Sequence, residues 1–104
     1  MFSLDDLART IALRAHASGE KSYTRSLLEK GPRGTAKKFG EEAVEFIIAA
    51  VGESDEARRA EAADVLYHLL VVLISRDVSL DEVLGELERR AGQSGHEEKA
   101  SRKS

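Results

Sequence analysis

Five acidic residues have a spacing that places them on two helix faces. Glu41, Glu42 and Glu45 form an E-E-x-x-E pattern, and Glu61 and Asp64 follow as E-x-x-D. Residues three or four positions apart lie on the same face of an α-helix. The two patterns therefore predict two acidic helix faces that can lie against each other.

Two such faces together would bind a metal ion. Carboxylates that converge without matching Lys or Arg side chains form a hard oxygen site suited to Mg²⁺, which keeps several waters and is often shared with substrate phosphates. Mg²⁺ in such a site polarises a phosphoanhydride and neutralises charge on the leaving group. The chemistry indicated is hydrolysis of a nucleotide pyrophosphate bond.

The alternative is that these acids are only solvated. Taken singly, each cluster is more often an exposed helix face, since Asp and Glu side chains are mostly exposed. Taken together, with Glu61 and Asp64 embedded in an otherwise apolar helix, they favour metal binding, because a buried carboxylate needs a compensating charge.

Other polar residues near the acids are open to more than one interpretation. His68 is interpreted as a core or rim histidine and not as a ligand, since three scattered histidines make no zinc set. Lys37 and Lys38 could form ion pairs with acids one turn away or contact phosphate. The run 31–34, Gly-Pro-Arg-Gly, lacks the pattern of a phosphate-binding loop.

Helical periodicity and capping residues predict an all-α protein of four to five helices, with no alternating strand pattern. Ser3 with Asp6, Ser54, and Ser79 with Glu82 are predicted to start helices. The helices are expected at about 4–18, 24–30, 35–51, 55–76 and 80–91. Residues 1–92 are expected to form one domain, and the polar segment 93–104 a disordered tail.

The helix that carries Glu61 and Asp64 is apolar around most of its circumference. Leu66, Leu69, Leu70, Leu73 and Ile74 occupy most of the positions away from the acids. Such a helix must be central, and a short chain has little material to cover it. We therefore expect a homodimer.

Composition excludes several classes of protein. The 104 residues support one core, and the absence of Cys excludes disulfides and thiolate metal sites and favours a reducing compartment. A net charge of −3, 5% aromatic residues and no Trp argue against nucleic-acid partners. Neither a signal peptide nor a membrane span is expected, so the cytoplasm is the predicted location.

Longer stretches of the sequence resemble a known enzyme family. The acidic patterns resemble the signature of the MazG-type all-α nucleoside triphosphate pyrophosphohydrolases. Within that superfamily the chain resembles the phosphoribosyl-ATP pyrophosphohydrolase family of histidine biosynthesis over residues 3–91. The segments that carry this resemblance are Ser22-Tyr23-Thr24 with Leu27-Leu28 and Gly31, residues 37–45 (KKFGEEAVE) and residues 62–70 (AADVLYHLL).

The resemblance implies a reaction and a role for each group of residues. The reaction is Mg²⁺-dependent hydrolysis of 1-(5-phosphoribosyl)-ATP to 1-(5-phosphoribosyl)-AMP and pyrophosphate, the second step of histidine biosynthesis, by a cytoplasmic homodimer. Glu42, Glu45, Glu61 and Asp64 would be metal ligands, and Glu41 would orient water or hold a further metal. The implied phosphate or ribose contacts are Ser22, Tyr23, Thr24, Arg25, Lys37 and Lys38.

Two other functions share these features. A house-cleaning pyrophosphohydrolase acting on ordinary or damaged nucleotides would have the same acids without needing the phosphoribosyl group. A non-enzymatic helical dimerisation module would leave the acids solvated. Substrate preference separates the first of these from the leading hypothesis, and a stabilising effect of Mg²⁺ argues against the second.

Overall fold

The computed structural model describes residues 1–17 and 22–92, and all regular structure in those residues is helical. The predicted all-α class is confirmed, while the tail predicted at 93–104 lies outside the described residues. The helices in chain order are α1 (Leu4–Ala15), α2 (Tyr23–Leu28), α3 (Gly31–Val51), α4 (Asp55–Ser75) and α5 (Leu80–Ala91).

The predicted capping residues start three of these helices. Ser3 and Asp6 form a capping box at α1, and Ser79 and Glu82 form another at α5. The Ser54 hydroxyl accepts from the Ala57 amide at the start of α4. Each cap satisfies a backbone donor that has no partner within the helix. Local sequence alone therefore sets where these three helices begin.

The prediction that the second long helix starts at residue 35 is wrong, because α3 begins at Gly31. Gly31 has φ +75°, a conformation that favours glycine, and it turns the chain out of α2. Pro32 follows in the first turn, where a missing amide proton costs nothing. Gly34 packs closely against Lys30, since a Cβ added at Gly34 would lie 2.5 Å from Lys30 Cβ.

The first helix is shorter than predicted, ending at Ala15 with His16 as its C-cap rather than at residue 18. Hydrogen bonds from α2 hold the chain where it leaves α1. The Ser22 hydroxyl donates to the Arg14 carbonyl at 2.8 Å, and Arg25 donates to the Ala17 carbonyl at 2.8 Å. These partners satisfy carbonyls that a longer helix would have used internally.

The core lies between α1, α2 and α4. Within the described part of the chain its buried apolar side chains are Ile11, Leu27, Leu70 and Val71. Leu80 of α5 packs against this cluster from outside. The predicted central helix, α4, contributes two of the four residues, but its Leu66 remains 43% exposed.

The longest helices, α3 and α4, pack as an antiparallel pair joined by residues 52–54. At the linked end, Arg58 donates to the Gly52 carbonyl at 2.5 Å and to the Ala49 carbonyl at 3.4 Å. At the open end, Thr35 Oγ1 lies 3.1 Å from Ser75 Oγ. These contacts fix how the two helices are aligned along their length.

That alignment positions the acids. Glu42 lies seven residues before Ala49 on α3, and Asp64 lies six residues after Arg58 on α4. Because the helices are antiparallel and Arg58 contacts Ala49, these two positions meet across the pair.

None of the helices within residues 1–17 and 22–92 combines the length and the apolar character that a membrane span requires.

We predict that Arg58→Met lowers the melting temperature, corresponding to a loss of about 1–2 kcal/mol, because charged hydrogen bonds to the last carbonyls of α3 are removed. Thermal unfolding followed by circular dichroism measures the effect. The control is Arg59→Met, the exposed neighbour on the same helix. Equal melting temperatures for the two variants would contradict the role assigned to Arg58.

Candidate metal centre

Three of the predicted acids converge between α3 and α4. Glu42, Glu61 and Asp64 each offer a carboxylate oxygen, and these oxygens all lie within 4.8 Å of one another. Glu42 and Glu61 are partly buried and Asp64 is exposed. Three hard oxygen donors with an open side toward solvent fit Mg²⁺, which accepts protein carboxylates while keeping waters and substrate oxygens.

The two remaining acids lie beside this cluster and not within it. Glu45, one turn along α3, is exposed, and its charge is close enough to raise the pKa of Glu61. Glu41 is exposed as well, and its charge acts on Lys38. The structure thus gathers three of the four predicted ligands and places Glu45 close by, while Glu41 lies on the Lys38 side.

The cluster is electrostatically unfavourable without a cation. Desolvation raises the pKa of Glu61 above its ordinary value, and the charges of Asp64, Glu45 and Glu42 raise it further. Like charges this close disfavour the ionised form of each other. A bound divalent cation would reverse that effect, since it favours the ionised carboxylates.

Among residues 1–17 and 22–92, Lys38 is the basic side chain that forms an ion pair with the cluster. Its ammonium lies 3.3 Å from Glu42 Oε1, so the ion-pair interpretation is confirmed for this lysine. The hydrogen bond to Glu42 raises the pKa of Lys38, and electrostatic interactions with Tyr23, Glu42 and Glu41 raise it as well. Contact with phosphate by Lys38 or by the exposed Lys37 stays a prediction.

Three residues of the predicted substrate-binding segment form hydrogen bonds with other parts of the protein. Ser22 is buried, where its hydroxyl caps α2 and donates to Arg14. Thr24 is also buried, and its Oγ1 lies 2.5 Å from the Tyr67 hydroxyl. Arg25 donates to the Ala17 carbonyl and lies 3.8 Å from Glu29. Their role in substrate binding remains a prediction.

Tyr23 is the member of this segment that faces outward beside the cluster. Its side chain is 55% exposed, and its ring stacks on Tyr67 with centroids 6.2 Å apart. Its hydroxyl lies 3.5 Å from His68 Nε2. More than half of the surface of Tyr23 is therefore accessible from solvent.

His68 lies in the protein interior, as predicted. It is 5% exposed, and its Nδ1 lies 2.8 Å from the backbone carbonyl oxygen of Asp64. The sequence interpretation did not foresee that His68 and Tyr67 together attach α2 to α4 next to the acids. The available signal was two adjacent aromatic side chains placed one turn after Asp64.

An open groove adjoins the acid cluster on the α1 side. Its volume is about 520 Å³, and Asp64 lines both the groove and the cluster. The other lining residues are mainly apolar side chains from the start of α1 and from α4, namely Phe2, Ser3, Leu4, Leu7, Ala63, Leu66 and Tyr67. The acids are thus approachable from this side.

Comparison with known proteins agrees with the acid patterns. A family model described as phosphoribosyl-ATP pyrophosphohydrolase matches residues 4–91. The phosphoribosyl-ATP pyrophosphatase of Rhodobacter capsulatus is 60% identical over 103 residues, covering 98% of this chain and 99% of that protein. Phosphoribosyl-ATP pyrophosphatase 1 of Rhodopseudomonas palustris is 57% identical over 102 residues, covering 98% and 95%.

A third relative has the same extent. The phosphoribosyl-ATP pyrophosphatase of Dinoroseobacter shibae is 59% identical over 102 residues, covering 98% of this chain and all of that protein. The family match spans all five helices, including the acids of α3 and α4. On this similarity the chain belongs to the phosphoribosyl-ATP pyrophosphohydrolase family.

Proposed function

We propose that this protein hydrolyses 1-(5-phosphoribosyl)-ATP to 1-(5-phosphoribosyl)-AMP and pyrophosphate, using Mg²⁺. The observation that carries the proposal is the convergence of Glu42, Glu61 and Asp64 within 4.8 Å in a chain of this family. The names of the relatives supply the substrate. The acid cluster supplies a place where a polyphosphate bound through a divalent cation can be held.

The metal ligands in this proposal are Glu42, Glu61 and Asp64, with Glu45 as a fourth. Bound Mg²⁺ would neutralise charge on the phosphate oxygens and on the departing pyrophosphate. Glu41 lies one turn before Glu45 on an exposed face, where it can hold a water by hydrogen bonding. Water supplies the oxygen that replaces the bridging oxygen at the broken phosphoanhydride bond.

Lys38 and Tyr23 are proposed to contact the substrate beside the metal. Lys38 lies 3.3 Å from Glu42, and its ammonium could contact phosphate oxygens instead if a bound cation neutralised the charge of Glu42. Lys37, on the same turn of α3, is a second phosphate contact. Ser22, Thr24 and Arg25 act by holding α2, and with it Tyr23, in place.

A homodimer is part of the proposal. Val44, Ile47, Ile48 and Val51 form an apolar face on α3, with Ile47 and Ile48 each 61% exposed. Exposed apolar patches of this kind mark protein interfaces. A second copy of the chain would cover this face and Leu66, as the apolar character of α4 already suggested. The absence of Cys fits a reducing cytoplasm.

We predict that the purified protein releases pyrophosphate from phosphoribosyl-ATP in Mg²⁺ and does so far faster than from ATP. Asp64→Asn should lower kcat/KM by at least ~100-fold, because it removes a ligand charge. Asp77→Asn is the matched control, since Asp77 lies outside the cluster at φ 58°, where Asn is tolerated. Comparable turnover of ATP would instead favour a general nucleotide pyrophosphohydrolase.

We also predict that Glu61→Gln raises the melting temperature of the metal-free protein at pH 7 but not at pH 4. The pKa of Glu61 is raised in the folded protein. The contribution of this group to the free energy of unfolding is therefore favourable below the unfolded pKa of 4.5, and it is lost as the pH rises through the folded pKa. Mg²⁺ should stabilise the wild type at pH 7 and have little effect on the variant.

The control for this measurement is Glu88→Gln on α5, an exposed carboxylate far along the sequence from the cluster. The melting temperature of Glu88→Gln should differ from that of the wild type by a similar small amount at both pH values. The electrostatic account fails if Glu61→Gln is less stable than wild type at pH 7, or if both variants respond equally to Mg²⁺.

A further prediction concerns the apolar face of α3. Sedimentation velocity should show a dimer for the wild type, and Ile48→Glu should shift it to monomer, with a Kd raised at least ~100-fold because two charges are buried per interface. Leu13→Glu, an equally drastic change at a side chain 75% exposed on α1, should leave the dimer intact. A monomeric wild type would refute this assignment.

A further inference from the structure

The hydrogen bonding of His68 assigns a proton to one of its ring nitrogens. Nδ1 lies 2.8 Å from the Asp64 carbonyl oxygen. A carbonyl can only accept, so Nδ1 must be the donor. In the neutral imidazole the other nitrogen, Nε2, is then an acceptor with no proton of its own. The backbone of α4 therefore fixes the tautomer of this buried side chain.

That tautomer determines where the Tyr23 proton points. The Tyr23 oxygen lies 3.5 Å from His68 Nε2, and a phenol has a single proton to donate. Since Nε2 can only accept, Tyr23 donates to it. The capacity that Tyr23 has left is that of an acceptor, and the side chain is 55% exposed.

Lys38 and Tyr23 differ in the substrate groups with which they can form hydrogen bonds. Lys38 lies 3.3 Å from Glu42 Oε1 at the edge of the acid cluster, and its ammonium is a donor only. A phosphate oxygen is an acceptor, so it can bind Lys38 and has nothing to gain from Tyr23. A hydroxyl group can donate to Tyr23.

We infer that His68 is a positioning residue that holds the Tyr23 oxygen as a hydrogen-bond acceptor, so that Tyr23 binds a ribose hydroxyl of the substrate and not a phosphate. The inference rests on the proposed function, since a phosphoribosyl nucleotide brings both groups to this edge of the acid cluster. It assigns the ribose and phosphate contacts to different residues. Tyr23 recognises sugar, and Lys38 recognises phosphate.

The same two helices provide a matched control. Tyr67, also on α4, makes a second link to α2 through Thr24 at 2.5 Å. Tyr67→Phe removes one phenol hydroxyl and one contact between α2 and α4, as Tyr23→Phe does. It leaves the Tyr23 and His68 pair unchanged, so a purely structural effect of weakening the attachment of α2 would appear in both variants.

The first experiment reads the tautomer directly. Two-bond ¹H–¹⁵N spectra of the full-length protein at pH 8 should show the proton of His68 on Nδ1. In Tyr23→Phe the Nε2 resonance should shift, because it loses a hydrogen-bond donor, while in Tyr67→Phe it should shift less. A proton on Nε2, alone or together with one on Nδ1, overturns the inference whatever the enzyme's activity.

The second experiment compares phosphoribosyl-ATP with analogues that each lack one ribose hydroxyl. For the wild type, one analogue should have a KM about 3- to 10-fold higher than the parent, with kcat nearly unchanged, as expected when one neutral hydrogen bond is lost. In Tyr23→Phe, the same analogue and the parent should have equal KM values. Tyr67→Phe should keep the wild-type difference.

The two ways of failing can be told apart. An active wild type that treats all analogues alike, or a Tyr23→Phe variant that still discriminates, overturns the assignment of Tyr23 while the proposed function stands. A wild type that releases no pyrophosphate from the parent substrate overturns the proposed function, and the assignment of a ribose contact with it.

Discussion

The repulsion among carboxylates held between α3 and α4 is the constraint on which the rest of the structure depends. One carboxylate oxygen each of Glu42, Glu61 and Asp64 lies within 4.8 Å of the others, and desolvation and the neighbouring charges raise the pKa of Glu61. Like charges this close oppose the packing of α3 on α4, so other contacts must offset their repulsion. Arg58 at one end and the Thr35 and Ser75 contact at the other hold them in register. The fold thus places these charges close together, where a divalent cation would favour their ionised forms.

The protein holds these acids close together although its apolar core is small. The buried apolar residues in the described part of the chain come from α1, α2 and α4, and α3 contributes none of them. Instead α3 presents Ile47 and Ile48 to solvent. The helix that carries most of the acids is therefore held mainly by α4 and by its ends. A second copy packed on α3 and a cation bound between α3 and α4 would both stabilise the same helix pair.

Local signals were enough to predict most of the helices and the grouping of the acids. Capping boxes and helical spacing do not depend on distant parts of the chain, so α4 and α5 were predicted to within about a residue. The start of α3 was missed because Gly31-Pro32 is typical of a break, and only the positive φ of Gly31 shows that the break and the new helix coincide. Which acids meet depends on the alignment of α3 with α4, and this separates Glu42 from Glu45.

The contacts of α2 show why the position of this helix, and of Tyr23 on it, could not be predicted from the sequence. A six-residue helix has little stability of its own, so its position depends on partners more than 40 residues away, Tyr67 and His68. Those partners follow Asp64 by one turn, and His68 is hydrogen bonded to the Asp64 carbonyl. The segment that presents Tyr23 is thereby attached to the same turn of α4 that carries Asp64, one of the proposed metal ligands. A movement of that turn would carry Tyr23 and Asp64 together, so the proposed contact to a sugar hydroxyl would stay at the same distance from the proposed phosphate site.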